Sequence, residues 1–395
     1  MESPNRSSAI AYVSTDRQIF TIDRRGDHRS QTGADPSVMW GWWGSSGALN
    51  HSWPTWSPDG GSLACFATSN DGDAHVVTME VDGVSSVVVA DIGQRLPIYL
   101  HWSADGSRIA ILSQMVADQQ DRLHLATCRA HVAESERYLA RGTPLFFTWA
   151  ADHVACFVGN GEAGRSTLAM LSPDAKGSNI ILPGQPGNFC APVWLGDRLL
   201  YVVQRGDGST VVTARSGDPE PTVIEHVRGL VALVKSPCGR MIARAVAPEG
   251  DGTPYRHIAI YDIDTNAVID IADRPCLAFM WMPDSSGLLT AEVDTDRNIM
   301  RWYKLSLDGV ADPIVDTYPT RDFGFYLRFF EQYTQSHMLV NPASTHLLLA
   351  GALAGHQGSG RQSKLWEVPL SGGAPKELGE GLFGVYSAQV QTEQD

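Results

Sequence analysis

The chain has no run of roughly 18 apolar residues, the minimum for a helix that crosses a bilayer. No apolar segment follows Met1-Glu2-Ser3-Pro4-Asn5-Arg6 in the manner of a signal peptide. A cytoplasmic protein without membrane contact is therefore expected. Positive charge is also short: 30 Lys and Arg stand against 44 Asp and Glu, a net charge of -14. Such a surface lacks the cations that release counterions from nucleic acid, so nucleic acid is not an expected partner. The six cysteines, at 65, 128, 156, 190, 238 and 276, form no C-x-x-C pair and no zinc-finger spacing, and are expected as small buried apolar side chains. No G-x-S-x-G, H-E-x-x-H, P-loop or EF-hand pattern occurs. Gly159-Asn160-Gly161-Glu162-Ala163-Gly164 fits G-x-G-x-x-G by letter, but it joins two strands of a hairpin and opens no helix, so no dinucleotide is expected there.

What the chain does have is a repeat. Trp56-Ser57-Pro58-Asp59-Gly60 is echoed by Trp102-Ser103-Ala104-Asp105-Gly106, Trp149-Ala150-Ala151-Asp152, Trp194-Leu195-Gly196-Asp197, Lys235-Ser236-Pro237-Cys238-Gly239 and Trp281-Met282-Pro283-Asp284. Weaker echoes stand at Val340-Asn341-Pro342 and Tyr386-Ser387, and the anchor-to-anchor steps are 46, 47, 45, 41, 46, 59 and 46 residues. A period of this size is that of propeller blades. Each anchor closes a first strand, the Pro/Asp/Gly cluster turns the chain, and an apolar second strand follows, from Ile10 to Ser14, Leu63 to Ala67 and onward to Leu347 to Gly351. Eight such runs predict an all-β, eight-bladed β-propeller of four-stranded antiparallel blades, with seven blades the alternative. The first run has no anchor strand before it, and Leu382-Phe383-Gly384-Val385-Tyr386-Ser387 has no second strand after it. The two are expected to pair, closing blade one from both termini and leaving only short sheet edges. The whole of 1–395 is then one domain: blade one from about 8–36 plus 382–390, blades two to eight from about 48–381, and a polar tail at 391–395.

Trp-Ser-Pro-Asp-Gly followed by an apolar strand and a third strand ended by Asp-Gly resembles the TolB-type, WD-like propeller repeat. That repeat also occurs in the propellers of prolyl-oligopeptidase-like proteins and in oligogalacturonate lyases. The resemblance covers essentially the whole chain and is strongest at 56 and 102. It implies a fold and leaves function to be argued from the site. Peptidases of this kind are expected to carry a hydrolase domain with a G-x-S-x-G serine, which these 395 residues lack. The lyases are expected to use histidines near their innermost strands to hold a metal. Only His337, in Gln335-Ser336-His337-Met338, stands in a matching context.

Two departures from the stride mark the candidate site. The first holds Trp40, Trp42 and Trp43 among glycines, and the second runs Arg321-Asp322-Phe323-Gly324-Phe325-Tyr326-Leu327-Arg328-Phe329-Phe330-Glu331-Gln332-Tyr333. Both precede first strands and are expected to be loops that converge on one funnel mouth. Trp40, Trp42, Trp43, Phe325, Tyr326 and Tyr333 would stack a small, partly apolar or aromatic molecule, and Arg321, Asp322 and Arg328 would fix its polar groups. His51, His101 and His337 share strand parity, and His51 or His337 would act as general acid or base. The alternative for the rings is a plug or satellite core. No cofactor is expected. A divalent metal on His51, His101 and His337 is the weaker alternative. The expected function is small-molecule binding, as a sensor or as an enzyme of lyase, isomerase or cyclase type. A non-catalytic protein-protein interaction scaffold is the competing expectation.

Overall fold

The Ser-Pro-Asp-Gly turn is held by its own side chains. The Ser57 hydroxyl donates to the Asp59 carboxylate (2.5 Å) and accepts from the Ser62 N–H (2.9 Å), while Asp59 accepts from the Gly61 N–H (3.0 Å). Ser103 and Asp105 repeat the arrangement with Ser107 and Arg108. The donors, Ser103 first, hold the Asp105 carboxyl down at about 2. Gly60 and Gly106 follow at φ +67° and +71°, a conformation that favours glycine. Five of the six cysteines are buried, as expected, but Cys238 is exposed. It occupies the Asp position of its turn, with Sγ 3.2 Å from the Ser236 hydroxyl, and a turn position is not a core position.

The computed structural model describes residues 8–23, 26–32, 49–81, 85–115, 122–159, 166–174, 177, 179–184, 190–205, 208–215, 217–247, 255–355 and 363–388. The chain divides into two compact units. Unit 1 comprises Met1–Ala140, Pro319–Gly324 and Ser336–Asp395, and unit 2 comprises Arg141–Tyr318 and Phe325–Gln335.

Unit 1 begins with β1 (Ser8–Val13), β2 (Ile19–Asp23) and β3 (His28–Ser30). Next come β4 (Asn50–Trp56), β5 (Ser62–Thr68), β6 (Ala74–Glu80) and β7 (Ser86–Gly93), then β8 (Leu96–Trp102), β9 (Arg108–Gln114), β10 (Leu123–Arg129) and β11 (Arg137–Gly142). Unit 2 holds three further sheets of four strands and the consecutively paired strands β24 to β27. They are β12 (Leu145–Ala150) to β15 (Ile180–Ile181) through β13 (His153–Gly159) and β14 (Ser166–Leu171), and β16 (Val193–Leu195) to β19 (Thr222–Val227) through β17 (Arg198–Arg205) and β18 (Gly208–Arg215). β20 (Leu230–Lys235) to β23 (Ala267–Ala272) run through β21 (Met241–Ala247) and β22 (Arg256–Asp262), and β24 (Ala278–Trp281) to β27 (Ala311–Pro319) through β25 (Gly287–Asp294) and β26 (Ile299–Ser306). Two short helices follow, α1 (Arg321–Arg328) and α2 (Phe330–Tyr333), and then β28 (His346–Leu353), β29 (Lys364–Pro369), β30 (Lys376–Glu380) and β31 (Phe383–Tyr386) of unit 1.

The terminal pairing expected from the sequence is present. β31 pairs antiparallel with β1, Ile10 opposite Tyr386 and Val13 opposite Phe383, giving the sheet order β3-β2-β1-β31. The weak echo at Val340 forms only single bridges, Val340 to Leu347 and Met338 to Tyr386. Four outer strands and β27 carry extra residues that break the ladder: Val89 and Ile92 in β7, Ile224 in β19, Ile271 in β23, Leu378 in β30 and Ile314 in β27. Such bulges add local twist and blunt a sheet edge.

First strands lie beside first strands. In unit 1, β31, β4 and β8 follow one another, and in unit 2, β12, β16, β20 and β24 do so. The anchor tryptophans join them. Trp102 Nε1–H donates to the carbonyl of Thr55 (3.1 Å), Trp281 to that of Val234 (2.9 Å) and Trp56 to that of Val385 (3.4 Å). Each acceptor is the residue just before the neighbouring sheet's own anchor. Trp102→Phe keeps a ring but leaves the buried Thr55 carbonyl without this donor. It is expected to lower stability by about 1–3 kcal/mol, read as a lower urea midpoint at unchanged slope. An unchanged midpoint would show that the indole bond contributes nothing.

Candidate functional site

The second insertion, expected as a loop, is helical. Thr320 caps it: its hydroxyl accepts from the Phe323 N–H (3.1 Å) and its carbonyl from the Gly324 N–H (2.8 Å). Asp322 lies in the first turn, where a carboxylate suits the helix dipole. Phe323, Tyr326, Leu327 and Phe330 recur at three and four residues, and all four are buried.

The first turn belongs to unit 1. There Asp322 pairs with Arg17 at 2.6 Å, and Phe323 packs toward Phe383 with ring centroids 6.2 Å apart. Arg321 is exposed. Arg17 sits at φ +62° in the β1–β2 turn, a conformation uncommon for a residue with a side chain.

The rest of the insertion belongs to unit 2, and most of its rings are core. Tyr326 and Tyr333 are 0% and 1% exposed and stand 5.7 Å apart, while Phe330 meets Phe279 at 4.9 Å and Tyr255 at 5.7 Å. Phe325 is half-buried against Phe329 (4.8 Å), and the exposed Arg328 reaches back over the Phe329 ring. The expectation of stacking rings open to a ligand is thus met by packed ones at Tyr326 and Tyr333. Trp40, Trp42 and Trp43 lie outside the described residues.

Two α2 side chains, to which the sequence reading gave no role, make the most specific contacts. Gln332 clasps the backbone of Phe147 on β12: its Oε1 accepts the Phe147 N–H (2.9 Å), and its Nε2–H donates to the Phe147 carbonyl (2.7 Å). Glu331 accepts the N–H of Leu233 on β20 (3.2 Å) and faces the Cys190 thiol (3.9 Å). Burial pushes the Glu331 carboxyl up to about 8, so it is mostly protonated at neutral pH. The signal available in the sequence was a Glu-Gln pair inside a helical apolar period, in place of which the eye falls on the rings and Gly324.

The histidines are fixed by the core of unit 1. His337 is fully buried, with Nε2 3.1 Å from the Thr55 hydroxyl and Nδ1 2.8 Å from the Ser336 hydroxyl, which meets the Tyr99 hydroxyl at 2.7 Å. Trp53, Tyr99 and Phe383 surround its ring at 6.2, 5.6 and 5.9 Å, and burial lowers its pKa to about 3. Trp53 reaches this position from φ +55°, at a break in the β4–β5 ladder. Half-buried His101 lies on β8, 5.9 Å from the same Tyr99 ring. His51 is buried on β4. Its Nδ1 lies 3.2 Å from the Arg17 carbonyl, which can only accept, so Nδ1 carries the proton and Nε2 is a buried lone pair without a hydrogen-bond partner. Burial lowers this imidazole to about 4, and it is neutral at pH 7. Among the described residues no group of three or more His, Cys, Asp or Glu is placed to hold a metal ion.

No protein-family model matches the chain, and no curated protein matches it. Solved structures do. The chain is similar to TolB from Acinetobacter baumannii at 14% identity and TM-score 0.41, covering 77% of this chain and 62% of that one. It is similar to a prolyl endopeptidase at 12% identity and TM-score 0.55, covering 87% and 50%. It is similar to the β-propeller domain of the trilobed protease from Pyrococcus furiosus at 14% identity and TM-score 0.51, covering 84% and 98%. The chain thus spans less than two thirds of the length of the first two. The likeness to the last two shows the fold, a β-propeller. It carries no chemistry with it.

The protonation of Glu331 gives a measurable pH signature. Its folded pKa lies above the unfolded one, so the folded state binds the extra proton between the ordinary carboxyl range and about 8. Stability present at low pH is lost as pH rises through that window. Glu331→Gln is expected to match the parent near pH 4.5 and to exceed its thermal midpoint progressively up to pH 8. A parent and variant that stay parallel across the window would contradict this.

Proposed function

We propose that the chain is a cytoplasmic, non-catalytic, eight-bladed propeller that serves as a protein-interaction platform. The observation that carries this reading is the internal use of the groups a reaction would need. Both ring nitrogens of His337 are hydrogen-bonded in the core, Tyr326 and Tyr333 are packed, and Asp322 is held by Arg17. Eight apolar second strands, β1, β5, β9, β13, β17, β21, β25 and β28, support the blade number, with β31 supplying the strand that β1 lacks. Six free cysteines suit a reducing compartment, and among the described residues no helix is long and apolar enough to cross a membrane.

The competing reading, a small partly apolar molecule handled by a lyase-, isomerase- or cyclase-type site, keeps one specific observation in its favour. His51 offers a bare Nε2 lone pair, with its neighbour Arg17 ion-paired to Asp322. An imidazole held neutral in one tautomer is suited to accept a proton. Native purification separates the two readings. The platform predicts a stoichiometric protein partner whose retention is unchanged by His51→Gln. A co-purifying small molecule that is lost in His51→Gln, with no protein partner, would overturn it.

A further inference from the structure

The outer strands of the sheets differ in how they protect their open edge. β11 carries Arg137 and Arg141, β19 carries Glu225, and β30 reads Lys376-Glu377-Leu378-Gly379-Glu380. Charges of this kind stop a sheet edge from recruiting another strand. β3 and β15 are three and two residues long. β7 lacks Lys, Arg and Pro, but Val87 and Val88 are half-buried and Val89 is buried. β23, Ala267-Val268-Ile269-Asp270-Ile271-Ala272, has no Lys, Arg, Glu or Pro, and its one charge is Asp270. It ends the order β20-β21-β22-β23, and its successive residues Val268 and Ile269 are 38% and 55% exposed. Successive side chains point to opposite faces, so the strand stands clear on both.

The open stretch has defined limits. Ile271 is the bulged residue, and the turn at Gly309 lies so close to its carbonyl that a Cβ there would come within 2.6 Å. That leaves Ala267 to Asp270. The charge around it is negative: the side chains of Asp264, Asp270 and Asp273 are 62%, 90% and 54% exposed. The guanidinium of Arg244, 4.0 Å from Asp270, is already held by both oxygens of Glu225 (2.5 and 3.0 Å) and by the His257 carbonyl (2.7 Å). Arg256 is likewise taken by Asp273, and Arg240 by Asp262 and Asp264 (3.5 and 3.6 Å), which leaves Asp270 as the exposed carboxylate open to a partner.

We propose that the β23 edge docks an extended segment of a protein partner, apolar residues alternating with lysine or arginine, as an added antiparallel strand. Backbone groups of Ala267 to Asp270 would give affinity, Val268 and Ile269 would meet the apolar residues, and Asp270 would select the basic ones. A second copy of this chain fits less well. Two β23 strands paired antiparallel over Ala267 to Asp270 would set Asp270 of each copy opposite Ala267 of the other, and what opposes that pairing is the net charge of -14 on each copy.

The inference rests on the platform reading, and its test can fail separately from that reading. The full chain is titrated with a ten-residue peptide alternating valine and lysine, and with the same peptide carrying glutamate in place of lysine. The lysine peptide is expected to bind, to slow hydrogen exchange at Ala267 to Asp270, and to bind about tenfold more weakly to Ile269→Lys, whose urea midpoint stays at the parent value. Absence of binding, equal binding to Ile269→Lys, or equal binding of the glutamate peptide would overturn the proposal. So would self-association of the parent that Ile269→Lys abolishes. If parent and Ile269→Lys retain the same stoichiometric partner in native purification, the platform stands and the β23 edge falls. If the lysine peptide docks at β23 while only a small molecule co-purifies, the edge stands and the platform falls.

Discussion

A first strand has a ladder partner on one side only, and the backbone groups on its other edge must find partners without a strand to supply them. Everything else in this molecule is arranged around that requirement. One solution is periodic: the indole of each of three anchors reaches the carbonyl one residue before the next sheet's anchor, at Thr55, Val234 and Val385. The other is singular. Gln332 takes both backbone groups of Phe147 and Glu331 takes the N–H of Leu233, so the side chains of α2 act where a neighbouring strand would. An unmade hydrogen bond at such buried positions costs about 1–3 kcal/mol, enough to make a carboxamide in the core worth its desolvation.

This constraint explains why the groups with the most chemical promise are the least available. Glu331 is buried because the Leu233 amide needs an acceptor, and burial keeps it protonated. His337 is neutral and bonded at both nitrogens because it bridges the Thr55 and Ser336 hydroxyls inside a shell of rings. Perturbed pKa values mark functional sites in many proteins, but a buried group with a structural partner is perturbed for the same electrostatic reason. The departures from the repeat gather instead in the sheet β20–β23, where Lys235 replaces the anchor tryptophan, Cys238 replaces the turn aspartate and the edge of β23 is guarded only by Asp270 and the bulge at Ile271.

The fold was legible in the sequence to the extent that it is local. The Ser-x-Asp-Gly turns are closed within five residues, so their spacing reports the sheets directly, and the missing strand before β1 announced its partner at Phe383–Tyr386. Val340 was legible only as an echo because its strand is reduced to bridges. The outer-strand bulges left no mark, since Val89, Ile224 and Ile271 read as ordinary strand residues. The candidate site was half legible. Asp322 and Arg321 were picked out, but the partner of Asp322, Arg17, lies 305 residues away and nothing in the spacing links them. The helical period through Phe323, Tyr326, Leu327 and Phe330 was present in the letters, and three- and four-residue recurrence there outweighs Gly324 as evidence.

Native-state hydrogen exchange at the amides of Phe147 and Leu233 tests the central claim most directly. If Gln332 and Glu331 serve as the missing edge partners, both amides exchange as slowly as those in the middle of β13 and β21, and Gln332→Ala accelerates Phe147 while leaving the β13 amides unchanged. Exchange of Phe147 and Leu233 at loop rates in the parent chain would contradict the account.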